Sequence, residues 1–201
     1  MSYLKKIQWE IELDSLPAVT RNCPKCGKKI EFINTEKFRV NANRNHIDIW
    51  LIYQCSQCRS TWNMTIYERI NPKDISKDEY EKFLANDKKL AKKYGFDIGI
   101  HNRNKADINL NYIDYHIIQK ETNEYCQNEG EQLIEIICEF PLQIRADRLL
   151  SEGLSIPRSQ VKHICERGFI KCEDKNWLKK KIRSGMIIEI TNSQYNELNK
   201  K

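Results

Sequence analysis

The residues best suited to chemistry are four cysteines, arranged as Cys23-Pro-Lys-Cys26-Gly and Cys55-Ser-Gln-Cys58. Each C-x-x-C loop presents two thiolates to one ion, and two such loops complete a tetrahedral four-sulfur site. Gly27 suits the tight turn of the first loop, because glycine reaches positive φ without steric cost. Cys23, Cys26, Cys55 and Cys58 therefore predict one structural zinc ion. A redox pair of thioredoxin type needs a βαβ context, whereas the surrounding segments read as hairpins. A hydrolytic zinc keeps one position open and favours His or Glu ligands. The deaminase pattern, H-x-E with P-C-x-x-C, is not met: Asn22 precedes Cys23 and no H-x-E lies upstream. No catalytic residue is assigned.

The elements around the cysteines must bring the two loops together. Between Cys26 and Cys55 run the strand "KFRVN", a polar turn "ANRNH" and the strand "IDIWLIYQ". A long hairpin of this kind keeps the loops adjacent at its base, and the strand "STWNMTIYERI" follows. Residues 1–70 thus predict an antiparallel β zinc ribbon. Residues 76–94 predict one helix, with a capping box at Ser76 and Glu79 and an apolar stripe of Tyr80, Phe83, Leu84, Leu90, Ala91 and Tyr94. Gly95 is its stop, and Lys88, Lys89, Lys92 and Lys93 form a solvated face. Residues 101–105, "HNRNK", read as a linker and "ADINLNYIDYHII" as a strand. "TNEYCQNEGEQ" reads as a loop with solvated Glu129 and Glu131, and "LIEIICEF" as a buried strand. Residues 71–140 are then a connecting helix and strands packed on the ribbon. They carry no Gly-rich phosphate loop or nucleophile elbow.

The remaining cysteines, Cys126, Cys138, Cys165 and Cys172, lack ligand spacing and read as small buried hydrophobes. His46, His101, His116 and His163 are scattered and read as ordinary surface or core residues. The N-terminus has no uninterrupted apolar run of leader type, and no segment approaches the roughly 18 apolar residues of a membrane span. A cytoplasmic protein with no membrane partner is the expectation.

Charge is placed unevenly. Residues 1–140 hold 21 basic and 21 acidic side chains, while residues 141–201 hold 13 and 7, so the whole excess of +6 lies in the last segment. A basic domain attracts polyanions, and nucleic acid is the commonest one in a cytoplasm. Within this segment "RADRLLSEG" predicts a short helix burying Ala146, Leu149 and Leu150, with Gly153 as its stop. A second helix begins near Pro157, a favourable first-turn residue, and ends at Gly168. Its stripe is Val161, Ile164, Cys165 and Gly168. His163 therefore faces away from Cys165, and the two cannot share a metal. Strands "FIKC" and "KKKIRSGMIIEI" follow, the latter turning at Ser184-Gly185.

Residues 144–190 resemble the S-four RNA-binding domain, named for the fourth protein of the small ribosomal subunit. The pattern R-x-D-x-x-L is met by Arg145, Asp147 and Leu150. The S-R-S pattern is met by Arg158 and Ser159, with Pro157 in its first place. Ile164 and Gly168 follow, and the closing strand is met by Gly185, Ile188 and Ile190. Cys172-Glu173-Asp174 stands where that family has V-N-G, and Met186 replaces its aspartate. The resemblance implies that Arg145, Arg158 and Lys162 grip the backbone of a structured RNA. Charge alone adds Arg148, Arg167, Lys171, Lys179, Lys180 and Lys181, and Ser159 accompanies them. The chain also resembles an uncharacterised bacterial family that carries C-P-x-C-G, then F-R-V-N-A-N, then D-x-W-L-I-Y-x-C-x-x-C-x-x-T-W-N. Here these are Cys23–Gly27, Phe38–Asn43 and Asp48–Asn63.

The expected fold is α+β: a zinc ribbon over 1–70, connecting elements over 71–140 and an S-four-like module over 141–201. The expected function is a non-enzymatic, zinc-containing RNA-binding protein whose partner is a structured RNA such as ribosomal RNA or tRNA, with the ribosome as a candidate platform. Trp50, Tyr53 and Trp62 are candidates for base stacking as well as for core packing. The alternatives are an RNA-modifying enzyme or its accessory subunit, and a DNA-binding or protein-docking zinc ribbon. No small-molecule substrate is indicated.

Overall fold

Near the N-terminus Ile7, Trp9 and Ile11 alternate with Lys6, Gln8 and Glu10, a period-two pattern that a search for a leader peptide passes over. In the computed structural model this stretch is strand β1 (Leu4–Leu13), with Trp9 and Ile11 buried. The structure describes residues 4–43, 45–111, 113–126 and 131–191. The chain divides into two compact units, one of residues 15–113 and one of residues 1–14 with 114–201.

Residues 15–113 build an antiparallel five-stranded sheet. Its strands are β2 (Ala18–Cys23), β3 (Lys28–Asn43), β4 (His46–Cys55), β5 (Thr61–Ile70) and β6 (Asp107–Asn109), in the order β5-β4-β3-β2-β6. Along β4 every second residue, Ile47, Ile49, Leu51, Tyr53 and Cys55, is buried, as strand geometry requires. The expected hairpin is β3–β4, paired from Asn43↔His46 down to Phe32↔Cys55 with a bulge between Asn34 and Lys37. Asn34 fastens the bulge: its Oδ1 accepts from Glu36 N at 2.8 Å and its Nδ2 donates to the Tyr53 hydroxyl at 3.2 Å.

Three helices complete this unit: α1 (Lys77–Leu84), α2 (Lys88–Gly95) and α3 (Ile98–Arg103). The single helix expected over 76–94 is thus two. Ser76 does cap the first, accepting from Glu79 N at 3.1 Å. The chain then breaks at Asn86, whose φ is +54° and whose Oδ1 accepts from Phe38 N at 2.7 Å. Asp87 caps the second helix through Leu90 N at 2.8 Å. The break resets the helical register, so Phe83, Leu90, Ala91 and Tyr94 are buried while Leu84 is 56% exposed. The expected linker at 101–105 instead closes α3, with His101 fully buried and its Nε2 2.8 Å from the Gly95 carbonyl oxygen.

The other unit joins the two ends of the chain. Besides β1 it contains β7 (Tyr115–Cys126), β8 (Glu131–Ile137), α4 (Ala146–Gly153), α5 (Arg158–Glu166), β9 (Ile170–Lys171) and β10 (Met186–Thr191). The sheet order is β7-β1-β8-β10-β9, with β1 and β8 parallel and every other pair antiparallel. The division therefore does not fall at 70 and 140. β1 leaves the first 70 residues to pair with β7 and β8, and α1–α3 with β6 separate from β7 and β8. β10 of the C-terminal segment pairs with β8. Backbone donors and acceptors decide this, since a central strand needs a neighbour on each side. The expected strand "ADINLNYIDYHII" is split between β6 and β7, which lie in different sheets. Most of the expected loop at 122–132 is strand. Its residues 127–130, which include Glu129, and the side chains of Cys126 and Glu131 lie outside the described residues.

No helix among the described residues is long and apolar enough to cross a membrane.

Candidate functional site

Cys23 ends β2 and Cys55 ends β4, so the sheet itself places one cysteine of each pair. The chain then turns back on itself twice in the same way. Gly27 N donates to Cys23 O at 2.9 Å, and Arg59 N donates to Cys55 O at 3.1 Å. Gly27 has φ +70° and Arg59 φ +63°. The second loop thus adopts the left-handed turn with an arginine where the first has the expected glycine. Ser56 N donates to Glu31 O at 3.0 Å and ties the second loop to β3.

The four sulfur atoms lie within 4.8 Å of one another, and the Cys23–Cys58 and Cys26–Cys55 separations are 3.5 and 3.9 Å. A tetrahedral site with metal–sulfur bonds of about 2.3 Å has edges of about 3.8 Å, so the residues fit a metal ion. Among the described residues this is the one cluster of three or more His, Cys, Asp or Glu side chains that could hold an ion. Cys23 and Cys55 are buried and Cys26 and Cys58 partly so. The Ser60 hydroxyl lies 3.0 Å from Cys58 Sγ and 3.4 Å from Cys23 Sγ, a partner that a ligand search by cysteine spacing does not find. Its hydrogen bond brings the Cys23 thiol down to about 6, while hydrogen bonding with Cys58 and burial push Cys26 up to about 12. Four sulfurs this close cannot all ionise without a cation to neutralise them.

Of the aromatic candidates, Tyr53 is fully buried and unavailable to a base. Trp62 is half-buried beneath Arg21, whose guanidinium carbon lies 3.9 Å from a ring centroid of its indole. Trp50 is half-buried in β4 opposite Arg39.

The C-terminal candidates are all exposed, but their charges are not equally free. Arg148 pairs with Glu152 at 2.9 Å, Lys162 with Glu166 at 3.6 Å and Lys180 with Asp174 at 3.8 Å. Arg145 and Arg158 converge on one carboxylate, Asp147, at 2.6 and 2.9 Å. Burial would raise the Asp147 carboxyl, but the hydrogen bonds and charges of Arg158 and Arg145 outweigh it and hold it below the usual carboxylate range. Arg167 lies over the Phe169 ring, 4.9 Å from its centroid. Lys171, Lys179 and Lys181 have no carboxylate partner among the described residues, and Ser159 follows Arg158 as the second residue of α5. Lys181 forms a β-bridge with Arg145.

His163 is exposed and Cys165 half-buried on α5, so this pair forms no site. Burial pushes the Cys165 thiol up to about 12, the behaviour of an inert packing residue. Cys138 and Cys172 are also half-buried rather than core, because each lies at or beyond the end of a strand.

Fold and site together define an α+β protein with, in one of its two units, a four-cysteine cluster that could hold a metal ion. The chain belongs to the DUF1062 family, described as a protein of unknown function, whose model matches residues 40–176. No curated protein and no solved structure matches it significantly.

Proposed function

We propose that this is a non-enzymatic, zinc-containing RNA-binding protein of the cytoplasm. An all-cysteine donor set with tetrahedral spacing favours zinc, and four protein ligands leave no open position for substrate or water. The ion would cross-link β2, β4 and their turns, a bracing role rather than a chemical one.

The RNA reading rests above all on one observation: Arg145, just before α4, and Arg158, the first residue of α5, share a single carboxylate and remain about half exposed. Two guanidiniums on one aspartate leave an uncompensated positive charge. Lys181 beside Arg145 adds another. The concentration of the net charge in residues 141–201 and the S-four resemblance of residues 144–190 point the same way. The partner is then a structured RNA, ribosomal RNA or tRNA, with the ribosome as a candidate platform. Binding through phosphates would weaken steeply with salt, because each neutralised phosphate releases counterions.

Sequencing the RNA crosslinked to the protein in cells tests this reading. Arg158→Glu with Lys162→Glu is expected to abolish crosslinking, and unchanged crosslinking would reject this surface. Metal analysis of the purified protein is expected to find one zinc per chain. A metal-free protein with reversible Cys23–Cys26 disulfide chemistry would reject the structural-zinc reading.

A further inference from the structure

We propose that Asp147 is a positioning residue, whose carboxylate holds Arg145 and Arg158 as one rigid fork for a backbone phosphate of the bound RNA. This rests on the RNA-binding reading proposed above and adds how that surface is organised.

Asp147 lies in the first turn of α4 and its side chain is 14% exposed. Arg145 approaches it edge-on: Nε donates to Oδ1 at 3.1 Å and Nη2 to Oδ2 at 2.6 Å. Arg158, at the start of α5, straddles the same carboxylate through Nη2, at 3.0 and 2.9 Å. A guanidinium has five N–H donors in a fixed plane. Both N–H groups of Nη1 on Arg145, and Nε–H with Nη1 on Arg158, are therefore not engaged by Asp147 and have no other side-chain acceptor among the described residues. The two side chains are 44% and 51% exposed, so the carboxylate holds them without covering them.

A third cation adjoins the pair. Lys181 is bridged to Arg145, and Ala146 N donates to Lys180 O at 3.0 Å. Two cations thus hold one carboxylate, and a third basic residue lies opposite Arg145 across the backbone bridge. Arg148, Lys162 and Lys180 each have a carboxylate of their own nearby, whereas Arg145 and Arg158 share one. Planar, pre-held guanidiniums suit phosphate oxygens and lose less rotamer freedom on binding than free ones.

Charge alone and positioning make opposite predictions for Asp147. A carboxylate beside a phosphate repels it, so by Coulomb's law Asp147→Asn should tighten polyanion binding. If Asp147 positions the arginines, the same change weakens binding, because a neutral amide holds two guanidiniums poorly.

The test uses the full chain and end-labelled, unfractionated ribosomal RNA and tRNA, with affinity measured across a salt series. D147N is expected to lose about tenfold in affinity, the size of one lost charge-assisted contact. In an R145Q/R158Q background D147N should then change affinity by less than twofold. In NMR spectra the Arg145 Nε–H signal, protected in the wild type, should become exchange-broadened in D147N. If D147N fails to fold, R145K and R158K carry the test, since each keeps its charge but loses the fork; each should weaken binding nearly as much as its Gln counterpart. Tighter or unchanged binding by D147N, or wild-type binding by both lysine variants, overturns the positioning role while leaving the RNA reading intact. A wild-type protein that binds neither RNA overturns both.

Discussion

Gly153, the last residue of α4, lies directly against the indole of Trp9 in β1. A Cβ at Gly153 would lie 2.3 Å from Trp9 Cη2 and 2.4 Å from Cζ3. Trp9 is 1% exposed, so its ring cannot swing aside. As sequence, Gly153 reads as a helix stop; in the fold it is the space that lets the helix close on the sheet. Gly153→Ala gains up to about 1 kcal/mol of helix propensity but overpacks the core by roughly 1–3 kcal/mol. The clash with a rigid ring should win, and chemical denaturation should show a net loss of stability. A stabilised variant would mean that β1 and α4 do not approach as described.

Asn86 offers a local test of the break between α1 and α2. Its positive φ suits Asn or Gly, and its side chain caps Phe38 N. Asn86→Gly keeps the conformation but loses the hydrogen bond, costing about 1 kcal/mol. Asn86→Ala also meets the left-handed penalty of about 1–2 kcal/mol and should be clearly the less stable of the two in urea unfolding. Equal losses would reject the left-handed assignment.

His101 makes stability depend on pH. Burial lowers its pKa from the ordinary 6.5, and the Gly95 carbonyl and the Asp97 charge offset this only in part. Below 6.5 the unfolded chain takes up a proton that the folded chain resists, so stability falls as pH drops through that window and is complete above it. Urea titrations of the wild type between about pH 7.5 and 5.5 should show this loss. His101→Gln should flatten the slope, whatever it does to absolute stability. A wild-type slope that persists in the variant would assign the effect to other groups.

Loss of one ligand should disable the metal centre. Cys55→Ser removes a buried sulfur at the end of β4, and the remaining three ligands hold the ion far less tightly. Metal content should fall well below one ion per chain, with stability reduced by several kcal/mol, since binding energy at a structural site is folding energy. The unit also has a core that includes Val19, Phe32, Leu51, Met64 and Phe83, so far-UV circular dichroism should retain strand signal. Full metal content in the variant would exclude Cys55 as a ligand.

Local patterns in the sequence were enough to find the cysteine cluster, the β3–β4 hairpin, the Ser76 cap and the inward faces of α4 and α5. Each depends on residues close in the chain, where spacing and period dictate geometry directly. The break at Asn86 escaped a stripe-based reading because its capping partner, Phe38, is 48 residues away. Ser60 escaped because hydrogen bonds to sulfur leave no mark in ligand spacing.

What the sequence determined by itself is the β3–β4 hairpin, the two short helices α4 and α5, and which four thiols can meet. Tertiary structure alone decided that β1 crosses to lie between β7 and β8, and that Gly153 must be small because Trp9 packs on it. It also decided that Arg145 and Arg158 share Asp147. The physical reason is common to all three: pairing and packing between segments far apart in the chain are set by the three-dimensional accounting of hydrogen bonds, volume and charge, and no local period encodes that accounting.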